Sequence, residues 1–235
     1  MVSIRVYETP QELAAAAALA LVDALARAQA AGLVPAVCLT GGTVADLVHR
    51  EVARVGADSA VDWTAVDFWW GDERYVETTS PDRNALHAHT AFLDVLGVPA
   101  GRIHAMPSTG SACSVEEGAR AYAAELARRQ EPFLVTMLGM GPDGHVASLF
   151  PGAPGLGADE ATAIAVTGSP KPPPQRISLT VPALNNSESV WLLVTGPDKA
   201  AAVADATTSA DLPARRVRGL AETVWFLDRA AASGL

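Results

Sequence analysis

The sequence contains few basic residues for its length. Its 235 residues include 17 Lys and Arg against 26 Asp and Glu, which gives a formal net charge of −9. A surface that binds nucleic acid carries the opposite sign, because it must neutralise phosphates. We therefore expect no nucleic-acid partner, and we expect any anionic ligand to be bound by a local cluster of positive groups.

Cysteine is also scarce. Cys38 and Cys113 are the two cysteines, too few for a disulfide framework or a cysteine metal cluster. Free cysteine commonly packs as a small apolar side chain, so we interpret both as buried residues without a chemical role. Because no histidine has zinc-ligand spacing to another His, Cys or Glu, we expect neither a metal nor a cofactor.

Long apolar runs are missing too. The first ten residues contain no apolar stretch of signal-peptide length, and no later segment reaches the roughly 18 to 20 uninterrupted apolar residues of a membrane span. We expect a cytoplasmic protein without a membrane partner, as a monomer or a weak dimer. The apolar content of 49% suffices for a sizeable core at this length, so we expect residues 1–235 to form a single domain.

Apolar runs of strand length end repeatedly in a glycine and are followed by helical segments. The predicted strands are residues 4–7, 34–39, 66–70, 133–138 and 190–195, and the predicted helices are residues 10–31, 43–55 and 115–129. Strands alternating with helices predict a Rossmann-like α/β fold, with a mostly parallel sheet and helices on both faces. Ligands bind at the carboxyl ends of such strands, where these glycine turns lie.

Residues 138–151 (LGMGPDGHVASLFP) lead from a predicted strand into a glycine-rich turn that carries His145. Water that attacks an ester carbonyl needs a base with a pKa near neutral, which imidazole supplies, and a carboxylate such as Asp143 can select its tautomer. Asp143 and His145 are therefore candidate catalytic residues. The alternative is that Asp143 caps a following helix and His145 merely packs there.

Residues 39–47 (LTGGTVADL) predict a strand, a turn at Gly41 and Gly42, and a helix that starts at Thr43. Such a helix start presents unpaired main-chain N–H groups and a positive helix end to an anion, which suits a phosphate. An ordinary tight turn is the alternative interpretation.

Three cations follow later in the chain. Lys171 and Arg176 lie about a proline-rich loop at residues 169–174, and Lys199 is predicted in the first turn of a helix. A cation at a helix N-terminus is unfavourable unless an anion shares the site, so Lys199 indicates a phosphate. The alternative is a solvated surface lysine.

Residues 66–76 (VDFWWGDERYV) end a predicted strand in consecutive charges. Arg74 is a candidate for holding substrate oxygens or a developing oxyanion, and Asp72 for binding sugar hydroxyls. The alternative is a solvated loop.

The remaining histidines and the tryptophans are interpreted as structural. The histidines are expected to be surface or half-buried residues, and the tryptophans, which lie in or beside apolar strands, are expected in the core. They are His49, His87, His89 and His104, and Trp63, Trp69, Trp70, Trp191 and Trp225.

The four motifs described above, taken in chain order, resemble the 6-phosphogluconolactonase family over nearly the entire chain. The matching segments are Gly41 and Gly42 for the phosphate loop, residues 70–76 for W-G-D-E-R-x-V, residues 138–151 for L-G-x-G-x-D-G-H-x-x-S-L-F-P and residues 171–180 for K-P-P-x-x-R-I-[ST]-L-T. The resemblance implies hydrolysis of 6-phosphogluconolactone to 6-phosphogluconate, in the oxidative pentose phosphate pathway. It further implies that His145 activates water and that the phosphate is held by Gly41, Gly42, Thr43, Arg176 and Lys199.

The chain departs from the family pattern at two positions. Val44 stands where the family usually has a threonine hydroxyl, and Val146 stands where it usually has threonine directly after the histidine. Two alternatives remain. A glucosamine-6-phosphate deaminase resembles this fold but has a carboxylate at the position of Phe150, and a non-catalytic sugar-phosphate sensor would retain phosphate binding without turnover.

Overall fold

The computed structural model describes residues 1–112, 114–158, 160–208 and 212–235. The strands are β1 (Val2–Tyr7), β2 (Ala36–Leu39), β3 (Asp67–Trp70), β4 (Asp72–Arg74), β5 (Phe133–Gly139), β6 (Ala163–Val166), β7 (Arg176–Leu179), β8 (Ser187–Val194) and β9 (Glu222–Asp228). The helices are α1 (Pro10–Ala30), α2 (Thr43–Gly56), α3 (Asn84–Ala88), α4 (Val115–Leu126), α5 (Val181–Asn185), α6 (Ala200–Thr208) and α7 (Pro213–Arg216).

The main sheet is parallel, which confirms the predicted α/β fold. Within the described residues it has six strands in the order β1-β9-β8-β5-β2-β3, and each neighbouring pair runs parallel. From β2 the chain moves outward to the edge strand β3, whereas from β5 it moves the opposite way to β8. The sheet therefore has a topological switch point between β2 and β5, where such folds open a crevice at the carboxyl ends of the strands.

A small antiparallel sheet, in the order β4-β7-β6, stands beside the main one. Its strands β6 and β7 flank the proline-rich loop, and β4 begins two residues after β3 ends. Pairing of β4 with β7 brings Arg74 opposite Arg176, although a hundred residues separate them in the sequence. This sheet therefore joins two of the predicted motifs.

Helix α1 covers nearly the same residues as the predicted helix 10–31 and is bounded by a capping threonine and a glycine. The Thr9 side chain accepts a hydrogen bond from the Glu12 N–H at 3.2 Å, and Gly32, with φ of +81°, follows the end of the helix. By length and hydropathy alone α1 would suit a membrane span. Its leucines at positions 13, 21 and 25 are nevertheless fully buried, in a helix that packs against α2 and β9, which is the arrangement of a core helix.

The tryptophans and Cys38 lie in the core, as expected. All five tryptophans are buried, and burial raises the pKa of the Cys38 thiol to about 12. Cys113 lies outside the described residues.

A buried carboxylate holds β4 against α3. Glu73 is 1% exposed and accepts the main-chain N–H groups of Arg74, Asn84 and Ala85, each at 2.8 Å. Its Oε2 lies 3.5 Å from Nε of Arg83. Burial raises the pKa of Glu73, and the charge of Arg83 and these N–H groups oppose the rise. The solvated-loop interpretation of this segment is therefore wrong for Asp72 and Glu73, which are both buried.

His49, on α2, is buried more deeply than expected. It is 1% exposed, its ring lies 5.0 Å from that of Phe92, and neither ring nitrogen has a hydrogen-bond partner in the described part of the chain. Desolvation, with repulsion from His87, lowers the pKa of His49 to about 4. His87, His89 and His104 are half-buried, as predicted.

We predict that His49 makes the fold sensitive to acid. In the unfolded chain the imidazole binds a proton below a pKa of about 6.5, whereas the folded state keeps it neutral down to about 4. The free energy of unfolding should therefore fall as the pH drops from about 6.5 to 4, by up to about 1.4 kcal/mol per pH unit. Urea unfolding at several pH values should show a smaller fall in His49→Leu.

The matched control is His89→Leu, which removes a half-buried histidine that pairs with Asp94. The free energy of unfolding of His89→Leu should depend on pH as it does in the wild type. If the free energy of unfolding fell equally steeply with decreasing pH in wild type and His49→Leu, the prediction would be contradicted.

Candidate active site

A cavity of about 240 Å³ opens at the switch point, at the carboxyl ends of β2 and β5. It brings together eight of the ten residues that the sequence predicted for the site. They are Gly41, Gly42, Asp72, Arg74, His145, Lys171, Arg176 and Lys199. Of the other two, Asp143 contacts His145, and Thr43 is the first residue of α2.

His145 and Asp143 form a hydrogen-bonded pair on the turn after β5. Nδ1 of His145 lies 2.5 Å from Oδ1 of Asp143, and the main chain of the turn closes through the bond from Gly141 N–H to the His145 carbonyl at 2.9 Å. A Cβ on Gly141 would lie 2.1 Å from Nδ1 of His145, so a larger residue there would displace the imidazole. No helix follows Asp143 within residues 144–150, and the helix-cap interpretation is wrong.

The surroundings of His145 favour a neutral imidazole. Burial lowers its pKa, and Asp143, through its hydrogen bond and its charge, opposes the fall without cancelling it. For Asp143 burial alone would raise the pKa, but the hydrogen bond and charge of His145 outweigh it and lower the pKa. The buried ring of Phe150 packs 4.6 Å from the imidazole. Because Asp143 contacts Nδ1, Nε2 is the nitrogen left for a ligand.

The Gly41-Gly42 turn leads directly into α2, as predicted. Gly42 is the N-cap residue with φ of +100°, and no side chain among the described residues caps the helix. On the neighbouring strand end, the N–H of Gly139 donates to Oγ1 of Thr40 at 3.3 Å. Gly41 and Gly42 line the cavity, and the first N–H groups of this fourteen-residue helix have no side-chain partner in the described part of the chain, which is the arrangement that binds anions. Val44 is buried.

The three predicted cations lie around the same cavity. Lys171 and Lys199 are the two lysines of the sequence. Lys199 ends a 3₁₀ turn (Pro197–Lys199) just before α6 and pairs with Asp198. Lys199 therefore lies immediately before α6 and not, as predicted, in the first turn of that helix.

Arg176 is buried, and its guanidinium donates hydrogen bonds to the proline-rich loop. Its Nη2 donates to the carbonyls of Lys171 and Pro172 at 3.0 and 3.3 Å, and its Nε donates to the carbonyl of Pro173 at 3.3 Å. Nη1 lies 3.9 Å from the Asp72 carboxylate. Arg176 therefore shapes the proline-rich loop as well as contributing positive charge, and desolvation lowers its pKa.

Three residues of the site were not among those predicted from the sequence. Thr40 and Ser148 lie inside the quoted motifs but were given no role, and Asn84 lies outside every motif. The Ser148 hydroxyl donates to Oδ2 of Asp72 at 2.6 Å, and Oδ1 of Asn84 accepts from Nη1 of Arg74 at 2.7 Å. Asn84 begins the short helix α3, a segment without a recognisable motif, and only the contact of α3 with β4 places it at the cavity.

Comparisons with known proteins agree with this fold. The family model described as glucosamine-6-phosphate isomerases/6-phosphogluconolactonase matches residues 8–225. A protein of Streptomyces coelicolor named 6-phosphogluconolactonase is 44% identical, over 98% of this chain and 93% of the relative. One of the same name from Mycobacterium tuberculosis is 39% identical, over 99% and 98%.

Solved structures show the same architecture. The crystal structure of 6-phosphogluconolactonase from Thermotoga maritima aligns with a TM-score of 0.88 at 26% identity, covering 97% of this chain and 100% of that chain. A monomeric glucosamine-6-phosphate deaminase aligns with a TM-score of 0.83 at 20% identity, which shows a shared fold. The chain belongs to the glucosamine-6-phosphate isomerase/6-phosphogluconolactonase family.

Proposed function

We propose that the chain hydrolyses 6-phospho-D-glucono-1,5-lactone to 6-phospho-D-gluconate, in the oxidative pentose phosphate pathway. The observation that carries this proposal is that His145, hydrogen-bonded to Asp143, lines a cavity that also contains the Gly41-Gly42 helix start and four cations. A base at one position and an anion site at another suit a substrate that carries both an ester and a phosphate. The names of the Streptomyces and Mycobacterium relatives support the same activity.

His145 is the proposed general base. A neutral imidazole takes a proton from water through Nε2 as the water attacks the lactone carbonyl at C1, and then returns a proton to the departing ring oxygen. Asp143 holds Nδ1 in the protonated tautomer and stabilises the transient imidazolium. An activated lactone carbonyl does not require a Lewis acid, so the proposed step uses no metal.

Arg74 and Asp72 are the proposed partners of the sugar. Arg74 lies at the cavity with its charge available to the oxygen that becomes negative during attack, and a preorganised donor is most effective at such a position. Asp72 already accepts the Ser148 hydroxyl through Oδ2, and its carboxylate is proposed to accept a sugar hydroxyl as well.

The proposed phosphate site combines the N-terminus of α2 with Lys199, Lys171 and Arg176. A protein with a net charge of −9 must concentrate positive potential locally to bind a dianion. We propose that Thr43 contributes its main-chain N–H.

The deaminase alternative is disfavoured by Phe150. Its buried ring packs on His145, and a phenyl ring cannot accept the proton that a carboxylate there would take. A non-catalytic sensor would not need the Asp143–His145 pair, and a turnover assay separates the two. We further propose a cytoplasmic enzyme, as a monomer or weak dimer, whose residues 1–235 form a single domain.

Replacing the proposed base should remove most of the turnover. His145→Asn keeps a similar volume but cannot shuttle the proton, so kcat should fall by roughly 10² to 10⁴, the usual contribution of a positioned base. KM should change much less, because the phosphate site lies elsewhere. Spontaneous lactone hydrolysis must be subtracted at each pH. The control His89→Asn should keep wild-type kcat, and a folded His145→Asn with more than about a tenth of wild-type kcat would remove His145 from the mechanism.

The pH profile should follow the neutral form of His145. Burial lowers its pKa, so kcat should rise with pH through an ionisation below the ordinary imidazole value of about 6.5. Asp143→Asn removes the carboxylate that opposes this fall, so the inflection should move to still lower pH. Asp94→Asn, at an exposed pair with His89, should leave it unchanged. An inflection above about 6.5 would contradict the assignment.

Lys199 offers the cleaner test of the phosphate site, because Arg176 also holds its loop. Lys199→Met should raise KM for the phosphorylated lactone about 10- to 100-fold, which corresponds to the usual 1.5 to 3 kcal/mol of a charge-assisted hydrogen bond. Hydrolysis of unphosphorylated gluconolactone should be unaffected. Arg120→Met, which removes an exposed charge from α4, is the control. Equal KM changes for both lactones would refute the phosphate role of Lys199.

A further inference from the structure

The carboxamide of Asn84 lies where three parts of the active site meet. Asn84 is 3% exposed and lines the cavity. Its Nδ2 donates to the main-chain carbonyl of Asp72 at 3.0 Å, and its Oδ1 accepts from Nη1 of Arg74 at 2.7 Å. The first bond determines which side of the amide faces Arg74, so the acceptor is presented to the guanidinium.

Arg74 has few other contacts that determine where its guanidinium lies. Nη1 also donates to the carbonyl of Asp82 at 2.6 Å, and both of these hydrogen bonds leave from the same nitrogen. Nε is buried and has no partner among the described residues. Two acceptors on one nitrogen therefore set the orientation of the group, and one of them is Asn84.

The same amide borders the anion-binding turn. A Cβ built on Gly41 would come within 1.8 Å of Oδ1 of Asn84, so the glycine main chain and the amide are in close contact. Asn84 thus sets the separation between Gly41 and Arg74, which the proposed function assigns to opposite ends of the substrate.

The partner that Asn84 offers to Arg74 is an uncharged amide. A carboxylate in contact with Arg74 would neutralise the charge that stabilises a developing oxyanion, whereas a neutral amide orients the guanidinium and leaves its charge available. The buried carboxylate nearby, Glu73, accepts main-chain N–H groups and lies against Arg83.

We propose that Asn84 is a positioning residue for lactone hydrolysis, which holds the Arg74 guanidinium, still fully charged, at a fixed distance from the Gly41 turn. This inference rests on the proposed function, because it assigns Arg74 to the transition state. Asn84 itself acts through Arg74.

A double-mutant cycle tests the inference. Asn84→Ala keeps the main-chain bond to Glu73 and removes the amide, and kcat should fall about 10- to 100-fold, the scale of a misplaced catalytic group. Arg74→Ala should lower kcat by about 10² to 10³. If Asn84 acts through Arg74, the double variant should match Arg74→Ala within about threefold, because the two effects are not independent. KM in Asn84→Ala should change far less than kcat.

The controls separate positioning from a purely structural role. Asn185→Ala removes an amide that binds main-chain groups of residues 216 and 218 outside the cavity, and should leave kcat unchanged. Urea unfolding shows whether each variant is folded. If Asn84→Ala does not fold, Asn84→Ser, which keeps a small polar side chain, goes through the same cycle.

The outcomes are distinct. A double variant whose kcat falls by the product of the two single effects, or a folded Asn84→Ala within threefold of wild-type kcat, would overturn the role of Asn84. Absence of lactone turnover in the wild-type protein would instead refute the proposed function.

Discussion

The site depends on the topological switch point between β2 and β5. These neighbouring parallel strands end at the same edge, and the chain leaves them in opposite directions, which is the arrangement that opens a crevice between carboxyl ends. The turn after β2 supplies the helix start at Gly42, and the turn after β5 supplies Asp143 and His145. The bond between Gly139 N–H and Thr40 Oγ1 ties the two turns together. Base and anion site are thus set by the geometry of one sheet.

Burial and charge act together in this crevice. The protein is acidic as a whole, yet both of its lysines, with Arg74 and Arg176, surround the cavity. Desolvation lowers the pKa of His145, which keeps the base neutral without removing the carboxylate that orients it. The packing of Phe150 on the imidazole contributes apolar surface on that side. A neutral base beside a positive anion site suits hydrolysis of a negatively charged ester.

Much of the site could be predicted because its groups lie on short motifs. The strand, glycine turn and helix around Gly41 and the turn around His145 are local patterns, since each is built from main-chain conformations that nearby residues specify. Where two interpretations were open locally, the sequence could not choose. Asp143 suits a helix cap or a partner for imidazole equally well by type, and only the absence of a helix in residues 144–150, together with the contact to His145, decides the matter.

The sequence by itself determined the α/β class, the positions of five strands (β1, β2, β3, β5 and β8) and three helices (α1, α2 and α4) to within a few residues, and the motifs that form the cavity. Periodicity and capping are local, so one chain segment contains the information. The tertiary structure alone decided that β4 pairs with β7, which sets Arg74 opposite Arg176, and that α3 brings Asn84 to the Gly41 turn. It also decided that Glu73 is buried, with its carboxylate accepting hydrogen bonds from main-chain N–H groups. These are contacts between distant segments, whose formation depends on complementary packing of the whole core and leaves no periodic signal in any one of them.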